Sequence, residues 1–262
     1  MYNAIVSKFV EAQKVAEAAY QTAVDFERAQ LPGLESHLYS AQVRSGYSTA
    51  RELSSFCEHV AGCILMRASK EFAPPGACLK LDASEERKRA GLDIGNALDR
   101  GSIPDLDAYW DSLRRQYDAG GGAMAAYQQA AQTMIRCFGL ARKTEVQRTA
   151  SAVVLRKGAT SEAAPGGRGT RRLGYYSYDH TAQCLQALAT FAGTVGNDLL
   201  IRQLSAISVY QIEYNYREKR QMSGLDIVFF KDQWEFRLSH QLADDLMLFI
   251  GEHGAAFLAE RD

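Results

Sequence analysis

Near residue 140 the hydrophobic pattern of this chain changes its period, and a fold of one class does not accommodate both parts. Before that point apolar residues recur every three or four positions. Residues 2–30 place Ile5, Phe9, Ala12, Ala16, Ala19, Ala23 and Phe26 on one helical stripe, stopped by Leu31, Pro32 and Gly33. A second helix is expected over 49–72, with Leu53, Phe56, Cys57, Val60, Ile64 and Leu65 inward and Pro74-Pro75-Gly76 ending it. Asp82-Ala-Ser-Glu85 has the form of a capping box and predicts a third helix reaching nearly to Gly101. Pro104 then suits a first helical turn, with Ser102 as its cap, and Leu106, Tyr109, Trp110, Leu113 and Tyr117 follow at helical spacing. Ala119-Gly-Gly-Gly122 reads as a linker before a helix over 123–138, which Gly139 is placed to cap.

Beyond Gly139 the pattern shortens. Ser151–Arg156 reads as a strand, and residues 158–174, rich in Gly, Arg, Ala and Thr, as a mobile loop or linker. Asp179 is placed to start a helix ending at Gly193, and Asn197 or Asp198 a shorter one. In 208–216, Tyr210, Ile212, Tyr214 and Tyr216 alternate as they would along a strand. Leu225–Phe230 and Trp234–Leu238 predict a hairpin turning at Lys231–Gln233, and a helix over 241–260 closes the chain. The expected fold class is α+β: a helical domain over 1–140, then a small domain over 141–262 built on an antiparallel sheet with flanking helices. The two parts either share one core or fold separately.

Hydrophobic residues make up 47% of the 262 and charged ones 23%, which is the globular range. A formal net charge of -1 excludes a uniformly basic protein but leaves room for a local patch. Cys57, Cys63, Cys78, Cys137 and Cys184 follow no disulfide framework, so reduced thiols are expected. Residues 1–20 lack the apolar stretch of a secretion signal, and no run approaches 18 apolar residues. A cytoplasmic protein with no membrane partner is the expectation.

Positive charge gathers in one stretch. Arg142, Lys143, Arg148, Arg156, Lys157, Arg168, Arg171 and Arg172 are opposed only by Glu145 and Glu162, eight against two, a local balance of +6. That is the electrostatic footprint of phosphate contacts, and Tyr175, Tyr176 and Tyr178 follow as stacking platforms for unpaired bases. The plain alternative is a solvated loop kept soluble by its arginines. His59 and Cys63 sit four apart on one helical face, where both reach one metal, but a zinc site needs two more ligands and Cys78 is the nearest candidate. Buried thiols beside a surface histidine explain that segment better. Asp105 and Asp107, Asp179-His180, and Asp244-Asp245 are the nearest approach to an acid–base or metal-carboxylate constellation. Asp105 and Asp179 are better explained as helix-start residues. No P-loop, dinucleotide, nucleophile-elbow or zincin motif is present, and no cofactor is implied.

Three stretches carry a resemblance to a known family. They are Tyr127–Arg136 with the Val153-Val154-Leu155 strand, Tyr178–Leu188, and Val228–Asp232 running through Trp234–Leu238 to the Leu242–Phe249 helix. Over roughly 95–253 the chain resembles a domain-of-unknown-function family of phages, plasmids and integrative elements. Some of its members are joined to, or encoded beside, DNA methyltransferases. The family's Phe-Lys-Asn-Gly-Asn segment is matched at Phe230 and Lys231. Asp232-Gln233-Trp234 replaces the remainder, and the family's strand histidine has no counterpart. The resemblance implies a mobile-element origin and no particular reaction. The expectation is a non-enzymatic protein that binds DNA or RNA, or a host complex that handles nucleic acid, in counter-defence or regulation. The alternatives are a metal-dependent nuclease or methyltransferase-associated enzyme, and an inhibitor directed purely at protein through 2–30 and 104–118.

Overall fold

A computed structural model of the protein describes residues 1–33, 37–40, 46–142, 146–165 and 169–259. The fold is α+β, with helices first and a small antiparallel sheet with helices after them. The chain divides into two compact units, Met1–Glu71 with Leu81–Asp118, and Phe72–Lys80 with Ala119–Asp262. Among the described residues no helix is long and apolar enough to cross a membrane.

The first unit is helical: α1 (Tyr2–Gln30), α2 (Gly46–Glu71), α3 (Ala83–Ala90), α4 (Ile94–Asp99) and α5 (Leu106–Tyr117). Its core joins Val6 and Val24 of α1 to Cys57, Val60, Ile64 and Ala68 of α2 and to Leu106, Tyr109 and Leu113 of α5. Phe9 stacks on Phe56 with ring centroids 4.0 Å apart. The buried stripe of α1 runs through Val6, Gln13 and Val24, whereas Ile5 and Phe26 face outward. Alanines carry too little apolar area to fix which side of a helix turns inward, so the packing partner decides. The single helix expected over 82–101 is broken in two. Asp82 caps α3 as its capping box implies, but Gly91 ends it in the left-handed conformation and Asp93 caps α4 by accepting from Asn96 N–H. Asp105, not Ser102, caps α5, accepting from Ala108 N–H at 3.0 Å.

Glu86 is the buried acid of this unit. Tyr117 Oη donates to it at 2.6 Å and Arg89 closes an ion pair at 2.7 Å. Burial, with Glu86 alongside, pushes the Tyr117 hydroxyl up to about 12. The folded state therefore holds a proton that the unfolded chain releases near the ordinary tyrosine value. Its stabilisation is complete below about pH 10 and lost as pH rises toward about 12. Chemical denaturation from pH 9 upward should show this fall in the natural chain and a flatter profile in Tyr117→Phe.

The second unit holds α6 (Gly121–Phe138), β1 (Gln147–Arg148), β2 (Val153–Gly158), β3 (Ser161–Ala163), β4 (Thr170–Leu173), α7 (Tyr178–Thr194), α8 (Asp198–Ser205), β5 (Glu213–Asn215), β6 (Lys219–Met222), β7 (Leu225–Phe229), β8 (Gln233–Leu238), α9 (His240–His253) and α10 (Ala255–Ala259). Short 3-10 turns occupy Leu140–Arg142 and Tyr175–Ser177. Helix α6, expected to belong with the helices before it, packs instead on α7 and β2. Gly120 takes φ +96° at its start, and Gly122 sits in helical conformation where an added Cβ would run into Phe72. The three glycines therefore make a helix start and a close approach, not a linker.

The larger sheet has the antiparallel order β1-β2-β8-β7-β6, and the smaller one β3-β4-β5. Leu155, Ile227, Phe229, Trp234, Phe236 and Leu238 form one core with Met134, Ile135 and Phe138 of α6, Leu188 and Phe191 of α7, and Leu246 and Phe249 of α9. The expected β7–β8 hairpin is present. Two expectations fail here. Residues 158–174 are not a loop throughout, because Ser161–Ala163 pairs with Arg171–Leu173 as a β-ladder. The strand expected over 208–216 shrinks to Glu213–Asn215, with turns on both sides and Arg217 at φ +63°. Its tyrosines part accordingly: Tyr214 is core, while Tyr210 and Tyr216 are exposed.

Candidate functional site

Alternation along a strand sends successive side chains to opposite faces of a sheet. In β2, β7 and β8 one set enters the core just described. The other set stays on the opposite face, which forms a concave groove of about 830 Å³. Strand register arranges it in rows. One row runs Arg156, Glu235, Val228, Lys219, and the next Val154, Arg237, Asp226, Gln221. Val154 and Val228 are buried there although neither belongs to the core cluster, so they form an apolar floor. Arg217 and Phe230 complete the wall at one end.

Charge on this face is organised around Glu235, which is 6% exposed. Arg156 Nε donates to its Oε1 at 2.9 Å and an Arg237 terminal nitrogen to its Oε2 at 3.0 Å. Burial acts to raise the carboxyl pKa, but the two guanidinium groups outweigh it and hold Glu235 below the usual carboxylate value. Lys219 pairs with Asp226 at 2.7 Å. Arg237 Nε is buried without a hydrogen-bond partner. Four cations, Arg156, Arg217, Lys219 and Arg237, thus line the groove against Asp226 and Glu235. At its edge Phe230 meets the exposed ring of Tyr216 edge-on at 5.9 Å, and the Arg217 guanidinium lies 5.3 Å from that ring's centre.

The sequence-contiguous basic cluster does not gather in one place. Lys143 and Arg168 lie outside the described residues. Of the others, Arg156 alone lines the groove. Lys157, one position on, points the opposite way and is buried; its Nζ donates to the Gly158 carbonyl at 2.9 Å, and burial depresses its pKa. Arg171 is held by Ser161 Oγ and the Ser161 carbonyl, both at 2.8 Å, and Arg172 by Glu162 at 2.8 Å. Arg148, on β1, faces Asp244 at 3.9 Å, and Arg142 ends a 3-10 turn and is exposed. Tyr175 and Tyr176 are exposed, and their rings continue through Tyr178 to Tyr210.

The other candidates resolve locally. His59 Nε2 and Cys63 Sγ do share a face, 3.5 Å apart, and among the described residues no group of three or more His, Cys, Asp or Glu is placed to hold a metal ion. Asp105 caps α5, and Asp107 accepts from Tyr2 N–H at 2.6 Å. Asp179 lies in the first turn of α7 rather than at its cap, and it accepts from Tyr210 Oη at 3.1 Å. Sequence reasoning passed over Arg217, Lys219 and Arg237. Arg237 was signalled by the polar alternate positions of β8, opposite its apolar ones, whereas Lys219 lies on the all-polar start of β6 and Arg217 in the turn before it.

No family model, curated protein or solved structure matches the chain.

Proposed function

We propose that this chain is a non-enzymatic nucleic-acid-binding protein that takes a single strand along the open face of its larger sheet. The observation that carries this reading is the groove: an apolar floor, a surplus of two positive charges, and the exposed Tyr216 ring beside Phe230 at one end. Cations set along a groove track a phosphate backbone, and accessible rings stack on unpaired bases. A binding role also suits the state of Glu235. A carboxylate clamped between two guanidinium groups and held ionised is a poor proton donor or acceptor near neutral pH. The resemblance of residues 95–253 to a family of mobile elements supports placing the protein in the handling of a phage or plasmid genome.

The test is fluorescence anisotropy with a labelled oligonucleotide of about 12 nucleotides, titrated at several salt concentrations. Affinity should fall steeply with salt. Arg217→Glu with Lys219→Glu should weaken binding at least about tenfold and flatten the salt dependence. Both residues are exposed and neither enters the core, so the fold should persist. Absence of binding at low salt, or a variant that binds as tightly as the natural chain, would overturn the proposal.

A further inference from the structure

Three reactive side chains meet beneath the larger sheet on the face opposite the groove. Cys137 comes from the last turn of α6, Cys184 from the middle of α7 and Lys157 from β2. Cys137 Sγ lies 3.9 Å from the carbonyl oxygen of His180, which is one helical turn before Cys184 on α7. Helices α6 and α7 pack on each other and both cysteines enter the same core, so the two thiols and the Lys157 ammonium lie within electrostatic reach of one another. Cys184 and Lys157 are buried, whereas Cys137 is half-buried and reaches solvent. Among the described residues Lys157 makes no ion pair with a carboxylate, and its ammonium donates to the next residue's carbonyl. A buried ammonium in that position favours a negative charge beside it, and the two sulfurs supply the nearest place for one.

We propose that Cys137 is a site of oxidation by hydroperoxides, with Cys184 as its resolving partner. The thiolate sulfur of Cys137 attacks one peroxide oxygen. An S–O bond forms and the O–O bond breaks; the departing oxygen takes up the proton that the thiol had released and leaves as water, or as an alcohol from an organic hydroperoxide, so the sulfur is oxidised to a sulfenic acid and the peroxide is reduced. The Cys184 sulfur then attacks Cys137 sulfur. The S–S bond forms, the S–O bond breaks, and the hydroxyl leaves with the Cys184 proton as a second water. The product staples α6 to α7. Proton placement agrees with these roles. The neighbouring Cys184 thiol brings the Cys137 thiol down to about 7 despite burial, with Lys157 assisting, while Cys137 and burial push Cys184 up and keep it protonated. This inference is independent of nucleic-acid binding.

The experiment treats the reduced full-length chain with a few equivalents of hydrogen peroxide, blocks remaining thiols by alkylation and maps the peptides by mass spectrometry. The expected result is a loss of about 2 Da together with a linked Cys137–Cys184 peptide. Cys78, exposed and outside this pair, should still be alkylated. In Cys184→Ser, dimedone should label Cys137, because the sulfenic acid is no longer resolved. Lys157→Met, which retains the stem and loses the charge, should slow labelling of Cys137 by about fivefold or more. Should the variants fold poorly, the natural chain alone decides. A linked peptide formed before Cys78 or Cys63 reacts supports the assignment; its absence, or oxidation of Cys78 first, overturns it.

Discussion

Replacing Trp234 with alanine is expected to destabilise the second unit by about 3–5 kcal/mol, the largest loss of any single substitution considered. The indole is fully buried, and its ring packs against Phe229 at 4.7 Å, Tyr214 at 5.9 Å and Phe236 at 6.5 Å. It also joins the two sheets, since Nε1 donates to Tyr214 Oη at 3.4 Å and Tyr214 belongs to β5. Removing the ring takes away its transfer free energy and leaves a cavity among aromatic walls that collapse poorly. Trp234→Phe keeps most of the packing and should cost less than half as much. Urea denaturation followed by circular dichroism reads both. A Trp234→Ala loss below about 1 kcal/mol would mean that the aromatic cluster does not hold the sheets together.

Replacing Glu235 with glutamine is expected to act on stability and on binding in opposite directions. The carboxylate holds two arginines whose side chains are 47% and 41% exposed, so the loss is smaller than for a fully buried pair, about 2 kcal/mol. Because the folded-state pKa of Glu235 is lowered, its contribution is present above the unfolded carboxylate value and disappears as pH falls through the folded one. The stability gap between the natural chain and Glu235→Gln should therefore close in acid. At neutral pH the same substitution removes one of the two negative charges facing the groove. Affinity for a single-stranded oligonucleotide should rise about threefold at matched salt, because the groove's surplus of positive charge grows. A variant that is less stable and binds less well would indicate that Glu235 serves the ligand directly.

Much of this fold is legible in the sequence because its signals are local. Asp82, Gly139 and Asn197 are placed where caps are needed and act as caps. The β7–β8 hairpin follows from the apolar run Ile227-Val228-Phe229 and from the alternation of Trp234 and Phe236 with Gln233, Glu235 and Arg237. The failures share a cause. Glycine at 91 and aspartate at 93 are a stop and a start in succession, yet the helical periodicity runs through them. The tyrosines at 210 and 216 keep period two with Tyr214, but turns on both sides carry them out to solvent. The site was the least legible part, because charge counted along the chain is not charge gathered in space. Arg156 and Lys157 are neighbours in sequence and face opposite sides of one sheet, whereas Arg156, Lys219 and Arg237 reach one face from three strands.

The most direct measurement is photo-crosslinking of the full chain to a bromouridine-substituted single strand, followed by mapping of the attached peptides. Adducts concentrated on the Tyr216 and Phe230 peptides, and lost in the Arg217→Glu, Lys219→Glu variant, are the expected outcome. Adducts confined to the Tyr175–Tyr176 peptide, or none in the presence of demonstrated binding, would contradict the assignment of the open sheet face.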